Sequence, residues 1–136
     1  MAVIRRPRDG ALLVSENTDP AGAVFHRPLG GHVEFGEYAA DTVMREFQEE
    51  IGQRLVQPRL LGVLENIFDW GGVTQHEIVF LFSAAFADPA GYEIAEQPIR
   101  DEPDGRVRVI WRQAGTVTPP LYPDGVVALA AQAAAG

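Results

Sequence analysis

An α/β layered fold is predicted by three features of the sequence. Short apolar runs bounded by Gly, Pro and Asp recur along the chain and read as strands. A proline-free stretch of helix formers lies mid-chain, inside GHVEFGEYAADTVMREFQEEIGQ at residues 31–53. A second, alanine-rich helix closes the chain over residues 122–135. Strands with one helix inserted and one appended pack as layers, with each helix burying an apolar stripe on a sheet. At 136 residues the chain makes one domain, 1–136, long enough to bury about two-thirds of its unfolded surface. No internal repeat marks a second unit.

Taken in order, residues 2–6 and 11–15 read as two strands joined in a hairpin through Pro7 to Gly10, since glycine accepts the positive φ of such turns. Residues 16–22 form a loop and 23–26 a short strand ended by Arg27-Pro28. The bend at Gly30-Gly31 leads into the helix. After a connector at 54–58, residues 59–68 form a strand, 69–72 turn the chain, and 73–86 return as a long strand. Its centre, Ile78 to Phe82, is apolar on both faces and suits a central strand covered on each side. Residues 87–105 lack a period and read as a long loop with a short strand near Tyr92 to Ile94. Such a loop is often functional. Residues 106–112 alternate apolar and basic positions, a strand with one face exposed. Pro119-Pro120 stops any element before the closing helix.

Composition excludes several classes of function. A net charge of −8 opposes a long nucleic-acid partner, which needs a basic footprint. The absence of cysteine removes disulfides, zinc-thiolate sites and thiol catalysis. No apolar run reaches membrane-spanning length and no signal-peptide pattern opens the chain, so the expected setting is the cytoplasm. His26, His32 and His76 lack spacing partners and read as structural.

The mid-chain helix concentrates charge. Glu46, Glu49 and Glu50 share one face at relative positions 0, 3 and 4, beside an apolar stripe of Ala40, Val43, Met44, Phe47 and Ile51. The Glu46–Glu50 pair repels at i,i+4, and carboxylates sit badly at a negative helix C-terminus. A divalent cation with a preference for hard oxygen ligands would reverse both penalties. Taken alone, the E-x-x-E-E run is more commonly a solvated acidic face.

The wider spacing sharpens the choice. Gly31, Glu37, Arg45, Glu46, Phe47, Glu49, Glu50 and Gly52 fit G-x5-E-x7-R-E-U-x-E-E-x-G-U, where U is bulky and apolar. This resembles the Nudix box of hydrolases acting on nucleoside diphosphates linked to another moiety. The last position departs from it, with Gln53 standing where an aliphatic residue is usual. The resemblance implies the Nudix fold, an α/β/α sandwich with a mixed β-sheet between helices, and hydrolysis of a pyrophosphate bond in a small nucleotide or nucleotide-sugar substrate with Mg²⁺ or Mn²⁺. It assigns Glu46 and Glu50 as direct metal ligands and Glu49 as a further ligand or holder of metal-bound water. Gly30, in the bend, would add a carbonyl oxygen.

Arg45 would orient a glutamate, most simply Glu49, and Glu37 would pair with Arg45. The general base differs between Nudix branches. Here Glu102, with Asp101 and Asp104 nearby, is the loop candidate. Phe68 and Trp70 offer π faces to a base or else pack the hairpin. The proline typical of ADP-ribose pyrophosphatases is replaced near Asp69 and Trp70. The NADH-type motif and the tyrosine of many dinucleoside polyphosphate hydrolases are absent too. The expected partner is therefore a small nucleotide-type molecule, not a membrane or long nucleic acid, with a homodimer left open. A non-catalytic Nudix-like binding or regulatory module is the alternative, but such domains usually erode the R-E-U-x-E-E core, which is intact here. An acidic helix docking on a basic partner ranks last, because it leaves the Gly31–Gly52 spacing unexplained.

Overall fold

A computed structural model describes residues 1–100, 102 and 105–135. Asp101 and Asp104, expected near Glu102, lie outside the described residues. The strands form two sheets. One has the order β1-β5-β4, with β1 (Ala2–Ile4) parallel and β4 (Leu55–Trp70) antiparallel to β5 (Val73–Phe86). The other has the order β3-β2-β7-β6 and is antiparallel throughout. It is built from β2 (Leu12–Thr18), β3 (Val24–Arg27), β6 (Glu96–Pro98) and β7 (Arg108–Arg112).

Strand alternation assigns side chains to two cores. Ala2, Ile4, Leu13 and Phe82 join one, while their neighbours Val3, Val14 and Leu81 join the other. Helix α1 (Ala39–Ile51) closes the first with Val43, Phe47 and Ile51, one turn apart. Helix α2 (Val126–Ala135) closes the second with Val126 and Ala130. The result is the expected α/β/α layering, with a mixed sheet where β1 meets β5.

Several local expectations are corrected. The first two strands do not form a hairpin ladder. A tight turn with Gly10 at φ +72° joins them, but they share only the bridge Arg5–Leu12, and β1 pairs with β5 instead. All three β1 side chains are buried, so this strand needs cover on both faces, which local turn chemistry cannot reveal. The residues around Tyr92 form a 3-10 helix, Pro89–Glu93, rather than a strand. Asp88 caps it by accepting from Ala90 N–H, Pro89 opens it, and the strand follows as β6. Helix α2 starts at Val126, after Gly125 at φ +97°.

In β7, Arg112 points inward, contrary to the expected exposed basic face. It donates to the Thr116 and Pro119 carbonyl oxygens and to His26 Nδ1 at 2.9 Å, and burial lowers its pKa. A guanidinium only donates, so His26 keeps its proton on Nε2 and gives it to Glu16 at 3.0 Å. His26 is therefore structural, as its isolation in sequence suggests.

The β4–β5 hairpin matches its predicted turn. Trp70 pairs with Val73 across Gly71 and Gly72, whose φ values of +59° and +85° suit a two-residue turn open to glycine. The Ile78–Phe82 segment is covered on both faces only at its inner end. Ile78 is 63% exposed while Leu81 is fully buried, because the hairpin extends beyond both cores. Among the described residues no helix is long and apolar enough to cross a membrane.

Candidate active site

Helix α1 places the charged residues. Its buried stripe fixes its rotation, and the remaining face turns Arg45, Glu46, Glu49 and Glu50 toward a cavity of about 530 Å³. The helix ends on Gly52 in the left-handed conformation, with the Gly52 N–H donating to the Gln48 carbonyl at 3.0 Å. A Cβ here would also overlap the Arg100 guanidinium, so the glycine serves both cap and packing.

Arg45 is the hub. Its Nε donates to Glu37 Oε2 at 2.8 Å and its Nη2 to Glu37 Oε1 at 3.0 Å, a bidentate pair. Its Nη1 donates to Glu46 at 2.9 Å and to Glu49 at 3.1 Å. The expected contacts with Glu37 and Glu49 are both present, and the bond to Glu46 is additional. Glu37 also accepts from Thr42 Oγ1 at 2.7 Å and from the Glu34 N–H. These donors, Arg45 foremost, hold its carboxyl at a pKa of about 2, and the same carboxylates raise that of Arg45. Glu37 therefore anchors the arginine and sits outside the cavity lining.

Glu46 and Glu49 differ in exposure, at 17% and 49% of the side chain. Glu46 is tucked against the glycine bend, and a Cβ on Gly31 would fall onto its carboxylate. This glycine thus has a steric reason: only a bare Cα lets the helix carboxylate approach this close. Gly30 lines the same cavity.

The loop after β6 brings in Glu102. Arg100 N–H donates to the Glu50 carbonyl at 2.9 Å, pinning the loop to the helix end, and the Glu102 N–H donates to Ile99 O at 3.2 Å. Glu102 then lines the cavity with Glu46, Glu49 and Glu50.

Phe68 and Trp70 lie elsewhere. They line a second cavity of about 730 Å³ between the β4–β5 hairpin and β3, with Phe25 and Tyr122. Trp70 meets Phe25 edge-on at 6.0 Å, so it packs the hairpin while still facing the cavity. Asn17 and Arg27 line both cavities and so mark their junction. Arg27 donates to Glu77 at 2.5 Å, and its buried Nε has no hydrogen-bond partner among the described residues. Arg27, Asn17, Phe25 and Tyr122 carry no functional signal in the sequence, because each reaches the site through strand register or a distant loop rather than through a local period.

The donor set suits a hard divalent cation. It offers carboxylate oxygens with no thiol, Gly30 lines the cavity beside them, and the bare Gly31 leaves room for Glu46. Among the described residues, no three acidic or imidazole groups converge into a preformed cage. Arg45 instead holds Glu46 and Glu49 together at one nitrogen, Nη1. Each uses one oxygen in doing so and keeps its other.

The NUDIX domain family model matches residues 1–120. The chain belongs to the Nudix family. A NUDIX hydrolase from Nitrosomonas europaea superposes with a TM-score of 0.55 at 24% identity, over 82% of this chain and 68% of that one, a likeness of fold. The E. coli ORF135 protein in solution aligns more loosely, with a TM-score of 0.43 at 23% identity over 64% of this chain and 57% of that one. The Nudix fold accounts for the placement of the box helix against one face of the sheets, with α2 on the other.

Proposed function

We propose that this Nudix domain is a divalent-metal-dependent hydrolase that cleaves the pyrophosphate linkage of a small nucleotide-type substrate in the cytoplasm. The observation that carries the reading is the single cavity lined by Glu46, Glu49, Glu50 and Glu102. Pyrophosphate resists water because its own oxygens repel a nucleophile, so the chemistry asks for cations held by carboxylates rather than for a nucleophilic side chain. Glu46 and Glu50 would hold Mg²⁺ or Mn²⁺ directly, with the Gly30 carbonyl oxygen beside them. Such a cation supplies Lewis acidity to a phosphoryl oxygen and to the attacking water.

The remaining roles belong to the protein. Arg45 limits repulsion among the glutamates and fixes the direction of Glu46 and Glu49. Glu49 either donates to the metal or orients the attacking water, and Glu102 on its loop accepts that water's proton. Arg27, at the junction, offers its guanidinium to a phosphate oxygen. Phe68 and Trp70 offer stacking surface to a base in the adjoining cavity.

A panel of nucleoside diphosphate derivatives with Mg²⁺ or Mn²⁺, scored for release of phosphate or nucleoside monophosphate, tests the reading. Metal-dependent cleavage of at least one member is expected. A folded protein that binds nucleotides but cleaves none with either metal would be a binding module instead.

A further inference from the structure

Glu77 carries the wrong charge for a place on a phosphate path. It lines the aromatic cavity together with Arg27, and a carboxylate there repels a phosphate by simple electrostatics. Its hydrogen bonds point to another use. Arg27 Nη2 and Asn66 Nδ2 both donate to Glu77 Oε1, at 2.5 Å and 2.9 Å. Asn66 and Glu77 are direct cross-strand partners in the β4–β5 ladder, whereas Arg27 comes from β3 in the other sheet. The ladder and the Asn66 amide therefore hold Glu77, and Glu77 in turn holds one nitrogen of the guanidinium.

The hold is one-sided. Among the described residues, neither Arg27 Nη1 nor the buried Nε makes a hydrogen bond. A guanidinium carries five N–H donors, so the contact with Glu77 leaves it able to take an anion as well. Glu77 lines the aromatic cavity but not the carboxylate one, while Arg27 lines both. The carboxylate thus grips the arginine from the aromatic side and stays off the glutamate array. The two side chains are 23% and 22% exposed, so this charge-assisted bond is better shielded than one at the open surface. Without it, Arg27 would regain the rotamers of a long, flexible side chain.

We propose that Glu77, steadied by Asn66, is a positioning residue that aims the Arg27 guanidinium at a substrate phosphate between the two cavities. The proposal rests on the reading that places Arg27 against a phosphate oxygen. It makes a prediction opposite in sign to plain electrostatics. Removing a negative charge from a phosphate path should tighten binding if Glu77 only repels, and loosen it if Glu77 directs the arginine.

Methylenediphosphonate, a pyrophosphate mimic whose bridge water cannot cleave, is the probe. Its affinity is measured by isothermal titration with Mg²⁺ for native protein and for Glu77→Ala, Glu77→Gln, Arg27→Ala and the Arg27→Ala, Glu77→Ala double variant. Glu77→Ala is expected to weaken binding by about tenfold or more, and Glu77→Gln, which keeps the accepting oxygen, by about threefold at most. In the Arg27→Ala background the same Glu77→Ala change should cost nothing further, because the residue it serves is gone. Tighter or unchanged binding in Glu77→Ala, a further loss in the double variant, or no binding to native protein would each overturn the proposal. Neither side chain belongs to either core, so the fold should persist, and melting curves check it. If Glu77→Ala fails to fold, Glu77→Gln decides, since tighter binding there overturns the proposal and equal or slightly weaker binding supports it. Turnover is read separately with the nucleotide panel. If no nucleotide is cleaved but the mimic binds in the expected pattern, the hydrolase reading falls and this one stands. Cleavage with a mimic affinity indifferent to Glu77 gives the reverse.

Discussion

In the carboxylate cavity, Arg45, Glu46, Glu49 and Glu50 come from the last two turns of one helix, whereas the aromatic cavity collects Phe25, Trp70 and Tyr122 from three distant parts of the chain. The first is a rigid array. α1 is locked by Val43, Phe47 and Ile51, and the charges keep fixed spacings whatever the loops do. The second depends on the register of β4 against β5 and on where the segment before α2 is laid. On the proposed function, chemistry would sit where geometry is cheapest to hold, and recognition where register and loop changes can retune it. Perturbing the two regions should give different kinetic signatures, which offers a way to break the comparison.

The largest effect is expected from Glu50→Gln. It keeps the side-chain size and removes a charge from the centre of the array, and turnover should fall by about 10²–10³-fold. Stability without metal should hold or rise slightly, because the repulsive Glu46–Glu50 pair is relieved. Steady-state rates and thermal melts in chelator measure both halves. Full activity in this variant would sink the mechanism.

Gly31→Ala should come next. Gly31 has no positive φ, so alanine costs nothing in backbone conformation, and the whole effect is its Cβ pushing the Glu46 carboxylate aside. A displacement on the order of 1 Å at a catalytic group costs about 10²-fold in rate. Activity at saturating metal that matches the native protein would show that Glu46 need not sit against the bend.

Trp70→Ala belongs to the other region and should act through KM. Loss of one stacking surface is worth about tenfold in binding, with kcat largely kept. A fall in kcat with unchanged KM would mean the two cavities are not separate in function.

The same contrast explains what could be read from the sequence. Everything set by a helical period was legible: the buried stripe of α1, the shared face of Glu46, Glu49 and Glu50, and the Arg45–Glu49 contact at i+4. The Gly71-Gly72 turn was legible because positive φ restricts it to a few residue types. Parallel pairing of β1 with β5 was not, since the partners lie about eighty positions apart and no local chemistry links them. Arg112 carried the sign of a solvent-facing residue, yet the carbonyls of Thr116 and Pro119 supply buried acceptors that sequence alone does not place. Arg27 escaped notice for a related reason: its role comes from lining two cavities at once.

The smallest effect should come from Glu37→Gln, and it sharpens the boundary of the carboxylate region. Glu37 touches Arg45 but does not line the cavity, so turnover should fall far less than in Glu50→Gln. Its signature lies in pH instead. The Arg45 guanidinium, helped by Thr42 Oγ1, lowers the Glu37 carboxyl from 4.5 to about 2 in the folded protein. A depressed folded pKa means that the unfolded chain binds the proton more readily, so the stabilisation is complete above about 4.5 and is lost as pH falls toward about 2. Native protein should therefore melt higher than Glu37→Gln near neutral pH. The difference should shrink through that acid window and close at its lower end. Melting curves for the two proteins across this range decide it. A gap that stays constant with pH would mean that Glu37 acts through packing, with Arg45 holding Glu46 and Glu49 in place without it.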